Sequence, residues 1–146
     1  MASKLLVVLQ FAAIAALVWP WRSDGWNAWS ALPIALALAI GGWAIASNPP
    51  RNFSIFPEPR ANASLVATGP YAYVRHPMYV ALMVFALGFC AGWSTPVHWL
   101  AAFALAVILG VKSRREERFL RARFPDYEAY AARTPAFLPR LRNAAR

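Results

Sequence analysis

The stretch TGPYAYVRHPMY, residues Thr68–Tyr79, lies between long apolar runs and decides how the chain is organised. Its Gly69-Pro70 pair is a turn signal. The Arg75-His76 pair places a permanent cation and a titratable imidazole directly before Pro77, and proline suits the first position of a helix. The stretch therefore predicts a polar, proline-stiffened loop that delivers charged side chains to the mouth of a membrane helix.

The composition indicates a membrane protein. The 146 residues are 60% hydrophobic and 14% charged, with a mean hydropathy of +0.41, whereas soluble domains average about half apolar and about a quarter charged. The net charge of +9 could suggest a nucleic-acid partner. The basic residues border the apolar runs, however, so membrane topology and anionic lipid explain them better. The one cysteine, Cys90, lies in an apolar run and indicates neither an intrachain disulfide nor a metal site.

Four apolar runs predict an all-α integral membrane protein that forms a single domain over residues 1–146. The predicted spans are residues 5–21, 28–46, 78–93 and 97–112. They leave a cytoplasmic loop at residues 47–77 and a cytoplasmic tail at residues 113–146. Because Trp93–Pro96 alone separates the last two spans, these two should form an antiparallel helical hairpin.

The basic residues predict the orientation of the spans. Fourteen of the fifteen Lys and Arg residues fall on one side of the predicted membrane, and Arg22 is the exception. The positive-inside rule makes that side cytoplasmic, with both termini inside. A bacterial inner membrane is the expected location. Membrane lipid is an expected partner, and the oligomeric state is left open.

This topology brings three polar segments to one membrane face: the Tyr71–Tyr79 loop, the Glu116-Glu117 pair at the end of the fourth span, and the Tyr127–Pro139 tail. The hairpin should place Arg75-His76 close to Glu116-Glu117. A plainer interpretation stays open, in which the two glutamates balance neighbouring arginines on a solvated helix face.

The order of these motifs resembles a known superfamily. The sequence Arg75-His76-Pro77-Met78-Tyr79 is followed by an apolar hairpin and by Glu116-Glu117-x-x-Leu120. The pattern continues with Phe124, Tyr127, Tyr130, Arg133 and Leu138-Pro139. It is similar to the isoprenylcysteine carboxyl methyltransferase and phospholipid methyltransferase superfamily of integral-membrane enzymes that use S-adenosylmethionine. The resemblance covers residues 69–140, and each short motif is weak by itself.

The resemblance implies a cofactor pocket for S-adenosylmethionine at the cytoplasmic interface. The residues implied for cofactor binding are Tyr71, Tyr73, His76, Pro77, Tyr79, Glu116, Glu117, Tyr127, Leu138 and Pro139. Arg75 or Arg133 could orient a carboxylate acceptor, and Glu117 could act as the base for an amine or a hydroxyl. The acceptor would be a lipidic or amphiphilic small molecule that enters laterally past Ala81, Gly88 and Gly92. No metal site is expected.

Two other function classes stay open. A membrane reductase of the sterol-reductase architecture would use a nicotinamide cofactor, and the arginines of the tail could bind the cofactor's extra phosphate. A non-enzymatic membrane adaptor would use the basic tail to bind anionic lipid or a partner. Under the adaptor interpretation, His76 and Glu116 could be replaced without penalty.

Overall fold

The structure is a computed structural model, and it describes residues 2–19 and 25–139. Within these two ranges the chain is all-helical and contains no β-strand. It has five α-helices: α1 (Ala2–Val18), α2 (Ala28–Ala46), α3 (Pro77–Trp93), α4 (Pro96–Arg123) and α5 (Tyr127–Arg133). Two short 3-10 helices lie at Pro50–Asn52 and Gly69–Ala72. The predicted end of the first span at residue 21, the link residue Arg22 and the tail beyond residue 139 lie outside the described residues.

The helices follow the predicted apolar runs closely. The second span, predicted at residues 28–46, coincides with α2, and α4 continues past its apolar part as expected and ends before Pro125. Helices α2 and α4 are long and apolar enough to cross a membrane, while α1 and α3 are shorter apolar helices. The all-helical class is therefore confirmed, and the four-span count stays a prediction.

The helix starts follow from local sequence signals. The Asn27 side chain accepts hydrogen bonds from the backbone N–H groups of Trp29 and Ser30, and the Ser30 hydroxyl accepts one from the Asn27 N–H. This capping box satisfies donors that a helix start leaves unpaired. Pro77 and Pro96 begin α3 and α4, where the missing N–H of proline costs nothing. The starts of α2, α3 and α4 are therefore local in origin.

The helices pack in the order α2, α3, α4, α1, so that α1 and α2 are the outer members of a curved row. The shared core contains Leu17 of α1, Ile34 of α2, Phe89 of α3 and Leu105 of α4. Cys90 is fully buried in the same cluster. Helices α1 and α2 make few direct contacts with each other, and a gap between them follows from this arrangement.

Two glycines of α3 serve helix packing and not lateral entry of a ligand. A Cβ atom on Gly88 would lie 2.6 Å from Cγ1 of Ile34, and one on Gly92 would lie 2.5 Å from the Gly25 carbonyl oxygen. Both positions are therefore closed by α2 and the residues before it. The sequence-based expectation that a ligand passes Gly88 and Gly92 is wrong, because α2 packs directly against that face of α3.

The loop between α2 and α3 folds over the polar end of the helices. Asn52 bonds Ser64 at both ends of its amide, with Nδ2 donating to the Ser64 carbonyl at 2.8 Å and Oδ1 accepting from the Ser64 N–H at 2.9 Å. Glu58 contacts Ser3 of α1 and lies 3.8 Å from Arg115 of α4. Residues 50–66 therefore form a cover over this end of the helices, and Glu58 connects the cover to α1 and α4.

Candidate functional site

The tail after α5 pairs with the loop before α3 through the main chain. The Arg75 N–H donates to the Pro135 carbonyl at 2.8 Å, and the His76 N–H donates to the Ala136 carbonyl at 3.1 Å. Such pairing is available because neither residue lies inside a helix. The tail therefore fixes the direction in which the Arg75 and His76 side chains leave the loop.

The Arg75 guanidinium holds α4 and the tail together. Its Nε and one terminal nitrogen donate to Oε1 of Glu117 at 3.0 and 2.8 Å. The other terminal nitrogen donates to the carbonyls of Ala131 at 3.0 Å and Thr134 at 2.5 Å. These contacts use four of the five N–H donors of an arginine. Most of the hydrogen-bonding capacity of Arg75 is therefore engaged within the protein.

Glu117 is the anion on which this network converges. Its Oε1 also lies 3.1 Å from Nε2 of His76, and its Oε2 lies 3.4 Å from Arg121. Burial raises the pKa of Glu117, but hydrogen bonds from His76 and Arg75 and the charges of both outweigh burial and lower that pKa to about 2. Glu117 therefore stays ionised at neutral pH and is a weak proton acceptor.

Glu116 is placed differently from its neighbour. Its side chain is 32% exposed, and its Oε2 accepts a hydrogen bond of 2.8 Å from the Tyr79 hydroxyl. Nδ1 of His76 lies 3.8 Å from the same oxygen, and the His76 ring stacks on the Tyr79 ring with centroids 5.3 Å apart. His76 therefore stands between the two carboxylates, with one ring nitrogen facing each.

Tyr71 joins the loop, α5 and the end of α2. Its carbonyl accepts a hydrogen bond of 2.7 Å from the Tyr130 hydroxyl, and its own hydroxyl accepts one of 3.2 Å from Nδ2 of Asn48. Burial raises the pKa of Tyr71, the Asn48 hydrogen bond lowers it, and the Glu116 charge raises it again. Tyr71 therefore remains a neutral hydroxyl that can both donate and accept.

A small cavity of about 110 Å³ lies under the 50–66 cover. Its walls include Glu116, Tyr71, Asn52 and Tyr127. The Tyr127 hydroxyl is buried and has no hydrogen-bond partner in the described protein. Burial raises the pKa of Tyr127, so the hydroxyl keeps its proton. Burying a hydroxyl without a hydrogen-bond partner costs free energy unless a bound ligand supplies the partner. The cavity is therefore a candidate binding site.

A larger cavity of about 530 Å³ lies between the helices and reaches the gap between α1 and α2. Its walls are mainly apolar, with Phe11 from α1, Leu38 and Ile45 from α2, and Phe85 from α3. Both cavities share one part of their lining, which consists of Asn48, Asn52, Ser54, Tyr71, Arg75, His76 and Glu116. The smaller cavity and the mainly apolar larger cavity therefore meet at the His76–Glu116 pair.

The structure brings most of the sequence-predicted site residues together. The residues that line one or both cavities are Tyr71, Arg75, His76, Pro77, Tyr79, Glu116 and Tyr127. Glu117 lies behind them as the partner of Arg75 and His76.

Four predicted residues lie away from both cavities. Arg133 and Pro139 are exposed, Leu138 is 81% exposed, and Tyr73 is exposed and packs beside Trp43 with ring centroids 6.1 Å apart. These four line neither of the two cavities described above, and their predicted roles gain no support from position.

Several polar residues that line the cavities had no site role predicted from the sequence, among them Asn48, Asn52, Gln10 and Lys112. Asn48 and Asn52 fall in the predicted loop at residues 47–77, and Lys112 is the last residue of the predicted fourth span. Gln10 received no role, although a polar side chain in the middle of an apolar helix is a signal of function. Among residues 2–19 and 25–139, no group of three or more His, Cys, Asp or Glu side chains could hold a metal ion.

Comparison with known proteins gives both a family and relatives. The sequence model of the family described as phospholipid methyltransferase matches residues 25–127. The cobalt-zinc-cadmium resistance protein CzcN of Cupriavidus metallidurans is 37% identical over 136 residues, which is 92% of this chain and 62% of that protein. The nickel-cobalt-cadmium resistance protein NccN of Alcaligenes xylosoxydans xylosoxydans is 41% identical over 83 residues, 56% of this chain and 39% of that protein. The chain thus spans less than two thirds of either relative's length.

Proposed function

Because the chain belongs to the phospholipid methyltransferase family, we propose that it transfers a methyl group from S-adenosylmethionine to an amphiphilic acceptor at a membrane surface. The observation that carries this proposal is the shared lining of the two cavities at His76 and Glu116. A polar cofactor dissolves in water and an apolar acceptor dissolves in lipid, and methyl transfer requires the two molecules to meet. The family and the two apolar helices of spanning length both indicate a membrane location.

The polar groups where the two cavities meet can pair with the polar groups of S-adenosylmethionine. That molecule combines an ammonium group, a carboxylate and an adenosine with a cationic sulfonium, which supplies an activated methyl group. Glu116 can pair with the ammonium or accept from the ribose, because its carboxylate is partly exposed to the cavity. Tyr71 can pack on a ring or a cation. Asn48 and the unpaired Tyr127 hydroxyl offer further hydrogen bonds.

The geometry suggests distinct roles for the two glutamates. Glu117 has a pKa of about 2 and is bound to Arg75 and His76, so we assign it to positioning these two side chains. The base role that the sequence suggested for Glu117 stays a prediction, and Glu116 is better placed for it because it faces both cavities. Arg75 orients the loop and the tail through its four internal hydrogen bonds.

The names of the two relatives suggest a physiological setting. Both are named as resistance proteins for divalent metals, and we propose that this chain modifies a membrane component under the same kind of stress. Direct metal binding has less support, since the described residues contain no cluster of His, Cys, Asp or Glu that could hold an ion.

Calorimetric titration of purified protein in neutral detergent with S-adenosylmethionine tests the proposal. Wild-type protein should bind the cofactor, and Glu116→Gln should bind it about tenfold more weakly or worse, since a hydrogen bond to a charged group is worth about 1.5–3 kcal/mol. Tyr127→Phe should also weaken binding without loss of stability, because its hydroxyl has no partner in the protein.

Glu128→Gln is the matched control, because the Glu128 carboxylate is 70% exposed and lines neither cavity. If wild-type protein shows no heat of binding at millimolar cofactor, the methyltransferase proposal fails and the adaptor interpretation takes its place. Heat of binding with a nicotinamide dinucleotide instead would favour the reductase.

A further inference from the structure

Lys112 is a buried cation that the proposed chemistry does not use. It lies at the end of the apolar part of α4, and only 4% of the residue is exposed. Its Nζ donates to Oε1 of Gln10 at 2.8 Å and lies 5.7 Å from the centroid of the Tyr79 ring. Within the described parts of the chain, no carboxylate oxygen lies within 4 Å of the Lys112 ammonium. Among the described residues, the neutral amide of Gln10 is therefore the one hydrogen-bond partner of the Lys112 ammonium.

The buried Lys112 ammonium makes no contact ion pair with the described residues. An ammonium group has three N–H donors, and Gln10 uses one of them. The Tyr79 ring adds a cation–π contact, which compensates burial of a charge only in part. Glu116 lies one helical turn along α4, but neither of its carboxylate oxygens lies within 4 Å of the Lys112 Nζ, and one of them accepts a hydrogen bond from the Tyr79 hydroxyl.

The position of Lys112 in the larger cavity indicates which kind of ligand could supply a negative charge to the ammonium. Lys112 and Gln10 both line that cavity, beside the apolar side chains of Phe11, Leu38 and Ile45. The cavity of about 530 Å³ reaches the gap between α1 and α2. An alkyl chain fits such walls, and a negative group at the end of the chain would meet the ammonium.

We propose that Lys112, held in place by Gln10, binds the anionic headgroup of a long-chain amphiphile whose tail occupies the larger cavity. The headgroup is a carboxylate or a phosphate, since both match an ammonium point charge. The inference rests on the proposed function in one respect, because it makes this amphiphile the methyl acceptor. A headgroup oxygen would form the new bond to the methyl carbon, the bond from that carbon to the sulfonium sulfur would break, and the electron pair would remain on sulfur as a neutral thioether. The inference thereby selects anionic amphiphiles over long-chain amines as the class of acceptor.

Displacement of a fluorescent fatty-acid analogue from purified protein in neutral detergent measures this binding. The competitors are heptadecanoate, hexadecyl phosphate and hexadecyltrimethylammonium, which share an alkyl chain of one length and differ in headgroup. Wild-type protein should bind at least one of the two anions at least tenfold more tightly than the cation. The ranking of heptadecanoate against hexadecyl phosphate identifies the headgroup.

Two variants remove the proposed interaction by different routes. Lys112→Met deletes the charge and keeps an unbranched side chain, and Gln10→Glu supplies the ammonium with a carboxylate from the protein itself. Both should weaken binding of the preferred anion at least tenfold and leave binding of the cation unchanged or tighter. Because Gln10→Glu adds a partner for a buried charge, it keeps the experiment decisive if Lys112→Met fails to fold.

Arg114→Gln is the control, since Arg114 is an exposed cation of the same helix that lines neither cavity. The inference is overturned if neither anion is preferred over the cation, or if Gln10→Glu binds the anions as wild-type protein does. Calorimetry with S-adenosylmethionine on the same samples separates the two proposals. Cofactor binding without anion preference removes this inference alone. Anion preference without cofactor binding removes the methyltransferase proposal together with the acceptor role of the amphiphile, and leaves the anion site at Lys112.

Discussion

Replacement of Glu117 by glutamine tests whether the ion-pair network at the end of α4 holds the site together. Glutamine keeps the size of the side chain and removes the charge that accepts from Arg75 and His76. The pKa of Glu117 falls from 4.5 to about 2. At about 1.4 kcal/mol for each pKa unit, this difference corresponds to roughly 3 kcal/mol of stabilisation of the folded state by the ionised form. We expect Glu117→Gln to lower the free energy of unfolding by about that amount at pH 7, in line with the roughly 3–5 kcal/mol typical of a broken buried pair.

The pH dependence of this loss has a definite sign. The carboxyl pKa is lower in the folded than in the unfolded state, so the ionised group stabilises the fold fully above pH 4.5. The stabilisation is lost as the pH falls from 4.5 towards 2, because wild-type Glu117 then takes up a proton. The difference between wild type and Glu117→Gln should therefore shrink across this window.

Guanidinium-induced unfolding in neutral detergent, followed by tryptophan fluorescence at pH 7 and at pH 3, measures both effects. Glu128→Gln is the matched control, since Glu128 also pairs with Arg121 at 2.8 Å but its side chain is 70% exposed. An exposed pair of this kind is worth about 1 kcal/mol or less. Two results would contradict a stabilising ion-pair network at Glu117. The first is a loss of unfolding free energy for Glu117→Gln no larger than that for Glu128→Gln at pH 7, and the second is an equal loss for Glu117→Gln at both pH values.

Two further predictions concern packing and topology. Gly88→Ala should lower thermal stability in detergent, because the new Cβ atom would lie 2.6 Å from Ile34; Gly110→Ala, where nothing lies within 4 Å, should leave stability unchanged or raise it. Equal melting temperatures for the two variants would contradict the close packing of α2 on α3. Reporter fusions after Arg60 and Pro96 should report the cytoplasmic and the opposite side respectively, because of the asymmetry of basic residues. A non-cytoplasmic signal after Arg60 would contradict the four-span topology.

Local sequence patterns specify the helices and the end of the molecule at which charged groups gather. Apolar runs define the helices, and prolines 77, 96 and 125 mark where they begin or stop. A turn as short as the one before Pro96 forces α3 and α4 to be antiparallel neighbours, so that His76 meets Glu117 at 3.1 Å. These features are local, or follow from one short connection, and therefore need no knowledge of distant packing.

The different roles of the charged residues depend on how the helices and the tail pack together. Adjacent helical residues point about 100° apart, so the positions of α3 and the tail determine that Glu117 is bound by Arg75 while Glu116 faces the cavities. Lys112 becomes a buried cation because α1, 102 residues earlier in the chain, packs on α4 and presents Gln10 to it. The apolar cavity exists because α1 packs on α4 and leaves a gap beside α2. Contacts between segments so far apart depend on how whole helices pack, which no local pattern in the sequence encodes.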